Sequence, residues 1–408
     1  MYPQPVLDHR AIRLDNYTDA LMLDTSFVSR PGGPLVAAMA ADHMVAAGLD
    51  PIASLKATVS GSSVPRSPYS YYWHGYQVAL RPLLLLFSYG DIRYLNMLAL
   101  GILALVTIVS LNRRAGTAAA IAFALALIAT GFYVVPLSLQ FSSMTYVMLV
   151  AVLVILAART AGISDRLDVE ILLAAGMLTA FLDLLTAPLL TLGVPLAVVL
   201  ILAGRSRSSR DLAADARAVV GGGVAWVVGY AGCWVAKWAI GTVVLRTDVF
   251  RAALAQLLFR TGMDKGGLRY LAALRWNILN LFPILRADTF SSLRRVPVAA
   301  AVAAVLMLTL VTLAVVVARR SRATKGDMRK ATPVLLVAPL PYLWFVVVNN
   351  HSAIHNWFTY RIQAITIFAV LYVLLSAVDL DAVGDCLARA MFGKAIAPPE
   401  NGSDLGGE

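Results

Sequence analysis

Two carboxylates and a group of histidines carry the chemistry that this chain could perform. Asp15 and Asp19, in "LDNYTDALML", stand four apart and share one face if the stretch is helical. One could then act as a general base beside a second that holds a metal or a hydroxyl. The same pair reads equally as a helix cap or a solvated loop. His351 and His355, in "NNHSAIHNWFTYR", repeat the spacing of four, which suits a divalent metal. No HExxH accompanies them and no third ligand follows by spacing, so hydrogen bonds to a phosphate, a sugar or buried carbonyls are their expected use. Asn349 and Asn350 add neutral donors and acceptors, and Arg361 adds a cation.

Further polar groups lie in apolar surroundings. The stretch "PYSYYWHGYQVALRPLLLLFSYGDIRYLN" joins an aromatic cluster to His74, Arg81, Asp91 and Arg93. Its rings suit an interfacial belt, and their flat faces also suit stacking on sugars. Asp183, in "FLDLLTAPLLT", falls at a helix end beside a proline turn, where an aspartate is expected to pair or to bind. Lys237, in "GYAGCWVAKWAIG", either snorkels outward or contacts a phosphate. Cys233 and Cys386 fall in an apolar run and a basic tail, so no disulfide is expected.

The elements that must position these groups follow from composition. The chain has 408 residues, of which 59% are hydrophobic and only 14% charged, and its mean hydropathy is +0.75. These values exclude an ordinary soluble domain and predict an all-α, polytopic membrane protein. Apolar runs predict about nine transmembrane helices, at 92–112, 117–136, 143–158, 169–186, 188–203, 217–240, 296–318, 331–349 and 361–379. Pro188 and Pro195 interrupt the 169–203 region, which is either two short helices joined by a tight turn or one broken segment.

Basic residues of the short loops, from Arg113 and Arg114 to the cluster "RRSRATKGDMRK", gather on one side, which the positive-inside rule places in the cytoplasm. Residues 1–91 then form an extracytoplasmic N-terminal region with interfacial helices, 92–240 and 296–379 hold the transmembrane helices, and 380–408 is a cytoplasmic tail. Residues 241–295 form an extracytoplasmic amphipathic loop, with Arg251, Arg260, Arg269 and Arg275 on the polar side of surface helices. That loop's nine basic residues run against the rule, but inverting the chain would export the stronger cluster. Nothing in residues 1–91 could carry them outside, so a membrane helix is expected to precede Met1. All five histidines, Asp15, Asp19, Asp183 and Lys237 sort to or near the outer face, which points to one extracytoplasmic site. The net charge of +11 is assigned to topology and to contact with anionic membrane lipids, not to nucleic acid.

This arrangement resembles the GT-C superfamily of membrane glycosyltransferases, and is similar to its uncharacterised bacterial surface-polysaccharide members. The residues carrying the likeness are "LDNYTDALML", "YYWHGYQVALRPLLLLFSYGDIRYLN", "FLDLLTAPLLTLGVPL" and "NNHSAIHNWFTYR". The resemblance implies a bacterial plasma-membrane enzyme that moves a sugar from a polyprenyl-phosphate donor to a cell-surface glycan or lipid-linked acceptor. Asp15 or Asp19 would be its catalytic base. His74, Arg81, Asp183, Lys237, Asn350, His351, His355 and Arg361 would be its substrate-binding residues. No cofactor is called for, with a divalent metal left open. A transporter or flippase of a lipid-linked sugar is the alternative, and an acyl or phospho-group transferase using His351 or His355 is a third.

Overall fold

The computed structural model describes residues 14–282, with breaks at 29, 46–47, 63, 163–165, 207–210 and 264–268, together with 330–378 and 380. The expected span 296–318, most of the basic cluster that follows it, the tail from 381 and His9 lie outside the described residues.

The described chain is helical apart from one two-residue strand pair. Asp15 caps α1 (Asn16–Phe27), accepting from the Thr18 amide at 3.0 Å. Proline in the first turn starts both α2 (Pro34–Ala40) and α3 (Pro51–Val59), and Asp50 caps the latter. Strands β1 (His43–Met44) and β2 (Arg66–Ser67) pair antiparallel around α3. Then come α4 (Gln77–Leu86) and α5 (Tyr89–Ala115), the second opened by a capping box between Ser88 and Asp91. The bundle continues with α6 (Thr117–Ala129), α7 (Leu139–Thr160), α8 (Arg166–Leu182), α9 (Leu190–Ser206) and α10 (Leu212–Leu245). After α11 (Val249–Thr261) and α12 (Tyr270–Leu279), the last described stretch holds α13 (Leu340–Val347), α14 (Asn349–Ile354), α15 (Asn356–Thr359) and α16 (Ala364–Ser376).

Among the described residues, four helices are long and apolar enough to cross a bilayer: α5, α7, α10 and the near-continuous Asn356–Ser376. They contain the expected spans 92–112, 143–158 and 217–240, and the last covers the expected 361–379 as far as Ser376. The other described spans are shorter or broken. Residues 117–136 yield only α6, which ends at Ala129 ahead of Gly131 and Pro136. Pro333, Pro339 and Pro341 break 331–349 into a 3-10 turn and α13. At "LLTAPLLT" the chain makes two helices, because α8 stops at Leu182 and α9 begins at Leu190. Pro195, expected to interrupt, lies inside α9 without ending it.

Helix α9 is apolar all round, and residues 190–201 are buried throughout, so it is the centre of the bundle. It packs against α5, α7, α8, α10 and α16. Helices α8 and α10 meet backbone to backbone. A Cβ on Gly176 would stand 2.2 Å from the Trp226 carbonyl oxygen, and one on Gly229 2.2 Å from that of Leu173. Small residues allow such contact in lipid, where dispersion and not water exclusion holds helices together. The outer faces of α5 and α10 leave Leu98, Ile102, Leu105, Val220, Val228 and Val243 exposed, as lipid-facing side chains would be.

Candidate functional site

The two N-terminal carboxylates differ sharply in environment. Asp19 accepts from Tyr89 Oη (2.6 Å), Arg93 Nη2 (3.2 Å), Ser138 Oγ (3.1 Å) and the amides of Leu139 (3.0 Å) and Gln140 (3.3 Å). Leu139 and Gln140 open α7, so their N–H groups have no partner within that helix, and its dipole favours an anion there. Asp19 thus pins α1 to α5 and to the start of α7. It is an anchor whose lone pairs are occupied.

Asp15 uses Oδ1 to cap α1, while its Oδ2 is buried with no hydrogen-bond partner among the described residues. Burial, with the Asp19 charge adding to it, pushes the Asp15 carboxyl up to about 7, and the Arg361 charge partly opposes this. Arg361 is itself buried, with its guanidinium 4.3 Å from the Phe141 ring centre and Nη1 donating to the Trp357 carbonyl (3.3 Å). Beside it lies a cavity of about 20 Å³ lined by Thr130, Phe141, Thr186 and Arg361 among others, room for about one water. Gly131 is required at this wall. Its φ of +75° is left-handed, and a Cβ there would stand 2.8 Å from Tyr360 Oη.

A second polar group forms around the turn 183–189. Asp183 lies one residue beyond the end of α8, and both its oxygens accept the Thr186 amide at 2.9 Å. His351 Nε2 is 2.8 Å from the Leu185 carbonyl, and its Nδ1 is 3.0 Å from Arg260 Nη1. Arginine can only donate and a carbonyl can only accept, so Nδ1 accepts and Nε2–H donates. The ring is therefore neutral, and burial holds it well below its ordinary value. His355 lies 4.7 Å from His351, ring to ring, and stacks on Phe358. Burial lowers it to about 4, with the Arg260 charge adding to this. Both nitrogens of His351 are in use, and no cluster of three His, Cys, Asp or Glu able to hold a metal occurs among the described residues.

Several other candidate residues satisfy helix C-termini, whose last carbonyls lack partners within their own helix. Lys237 neither snorkels nor faces solvent. Its Nζ donates to the carbonyls of Ala38 (3.1 Å) and Met39 (3.0 Å) at the end of α2. Arg81 donates to those of Thr25 (3.3 Å) and Val28 (3.2 Å) at the end of α1. Asn350 and Asn349 donate to Phe259 and Thr261 at the end of α11, each at 2.7 Å. The Gly75 amide does the same for Phe181 on α8 (2.8 Å). His74 bridges Tyr69 and Tyr76: Nε2–H donates to the Tyr69 carbonyl and Nδ1 accepts from Tyr76 Oη, both at 2.9 Å. Burial lowers its ring to about 3.

The candidates therefore divide. Asp15, Asp19 and Arg361 come together at one place, Asp183, His351 and His355 at another, and the turn 183–189 touches both. Lys237, Arg81, Asn350 and His74 serve the scaffold around them. Tyr89 and Arg93 of "YGDIRYLN" join the site through Asp19, a role that no local signal in the sequence marks. Arg260, expected on the polar side of a surface helix, turns its guanidinium inward to His351 and Tyr72. No protein-family model, curated protein or solved structure matches this chain.

Proposed function

We propose that this chain is a multi-pass glycosyltransferase of the bacterial plasma membrane, with its site on the extracytoplasmic face. It takes a sugar from a polyprenyl-phosphate donor to a cell-surface glycan or lipid-linked acceptor. The observation that carries the reading is Asp15: a buried carboxyl with one oxygen unengaged among the described residues, and a proton affinity raised to about 7 with Arg361 nearby. A base with that affinity is half-ionised near neutral pH, where general-base catalysis is most effective. In the proposed reaction Asp15 takes the acceptor hydroxyl proton as the oxygen attacks the anomeric carbon. The bond from that carbon to the phosphate oxygen breaks, and Arg361 stabilises the negative charge that grows there. Asp19 is given the role of holding α1 in place. A sugar ring needs more room than about 20 Å³, so the reading requires the cavity between Arg361 and Thr186 to widen when substrates bind.

Transport of an intact lipid-linked sugar is the alternative. Buried cations in spanning helices would favour it, but Arg93 is engaged by Asp19 and Lys237 by α2 carbonyls. Membranes containing the protein, supplied with labelled polyprenyl-phosphate sugars and glycan acceptors, decide between them. Transfer of label to the acceptor, lost in Asp15→Asn with the protein still folded, is the expected result. Full transfer by Asp15→Asn removes Asp15 as base, and movement of label across the membrane with its covalent structure unchanged replaces the enzyme with a transporter.

A further inference from the structure

A pocket of about 340 Å³ opens between α10, α11 and α13, on the far side of the turn 183–189 from the Arg361 cavity. Leu185 lines this pocket, whereas Thr186 and Ala187 line the other, so the turn is the wall between them. Its walls are Tyr230, Trp234 and Trp238 from α10, and Trp344 and Val347 from α13. Val235 and Val347 are about half exposed on the outer surface beside α10, a helix apolar enough to span a bilayer, so the mouth opens on an apolar outer surface. At one end stands Arg260, the single charged residue among the described residues of the lining. Two of its five N–H donors go to His351 and Tyr72, and no carboxylate pairs with it among the described residues. The nearby Asp183 is turned onto the Thr186 amide. A cation at the head of an aromatic, laterally open pocket matches a lipid with an anionic headgroup.

We propose that this pocket binds an acidic phospholipid of the surrounding bilayer, with its phosphate on Arg260 and an acyl chain along Trp234 and Trp238. The wall formed by the turn sets this lipid apart from the transfer site, so it is not the reacting donor. The assignment does not depend on the glycosyltransfer reading. Its contact with Arg260 holds the guanidinium against His351, and through His351 it steadies the Leu185 carbonyl and the turn.

Three tryptophans in the lining supply the measurement. The full chain is placed in nanodiscs of phosphatidylcholine doped with phosphatidylglycerol or phosphatidylcholine brominated on the acyl chain, and quenching of tryptophan emission is titrated. Brominated phosphatidylglycerol is expected to occupy the site about fivefold better than the brominated choline lipid, the preference one arginine gives near a membrane surface. Arg260→Gln should abolish that preference while Arg260→Lys keeps it. Ala231→Phe, which fills the pocket from α10 without touching the arginine, should reduce quenching by both lipids. Equal quenching by the two lipids in the parent overturns the proposal. So does displacement of the brominated phosphatidylglycerol by a polyisoprenyl phosphate but not by unlabelled phosphatidylglycerol.

Discussion

Asp15→Asn tests the central carboxylate without any assumption about substrate. Asparagine keeps the cap on Thr18, because its side-chain oxygen accepts as well as that of aspartate. What changes is the titration. In the unfolded chain Asp15 ionises near the usual 3.8, and in the folded chain only near about 7. Between those values unfolding releases a proton, so Asp15 makes the folded state progressively less stable as pH rises, and its contribution levels off above 7. Linkage arithmetic over this interval gives a full cost of ~4 kcal/mol, of which roughly 2.5 kcal/mol develops between pH 5 and pH 8. The variant has no such term, so its stability relative to the parent should grow by that amount over the same range. With an unfolding entropy of ~2 cal/mol/K per residue, each kcal/mol moves the midpoint by roughly 1 °C in a chain this long, an expected divergence of ~3 °C. Thermal unfolding in detergent, followed by tryptophan fluorescence at several pH values, reads it directly. Parallel Tm curves for parent and variant from pH 5 to pH 8 would refute the buried, proton-retaining Asp15 and with it the base assignment.

Asp19→Asn should behave in the opposite way, because it removes the buried carboxylate that Arg93 engages at 3.2 Å. A loss of ~3–5 kcal/mol is expected, largely recovered by adding Arg93→Met, and a double-mutant cycle of melting midpoints measures the coupling. His74 stays neutral down to about 3 when folded, while an unfolded ring binds a proton near 6.5. Stability should therefore fall by roughly 2 kcal/mol from pH 7 to pH 5, and His74→Asn, suited to the positive φ of 55° there, should flatten that acid slope. Gly229→Ala should force α8 and α10 apart at a cost of ~1–3 kcal/mol, whereas Gly223→Ala, with open space around it, should leave Tm unchanged.

Much of the frame was legible along the chain. Helix limits follow local signals: Asp15 and Asp50 as caps, the Ser88–Asp91 box, Gly116 between α5 and α6, and prolines that break 331–349. Such groups act over three or four residues, so a linear reading can find them. Pro195 misled because the tightly packed α9 around it holds the helical path despite the lost amide.

Composition and apolar run length, by themselves, determined that this is a helical chain built for a membrane, since hydrocarbon leaves every backbone polar group to be satisfied within the helix. The clustering of polar residues near helix ends was also visible in one dimension. Only the tertiary structure decided what each of those residues does. Asp15 and Asp19 have the same chemistry and sit one turn apart. They differ because donors 70 to 121 residues away converge on Asp19 and none of them reaches Asp15 Oδ2. Lys237 was legible as a membrane-edge cation, but the carbonyls it caps lie 198 and 199 residues earlier. His351 was legible as half of a spaced pair, yet its tautomer is set by Leu185 and Arg260. A buried polar group takes its role from the partners that replace water around it, and those partners are brought by packing from distant parts of the chain.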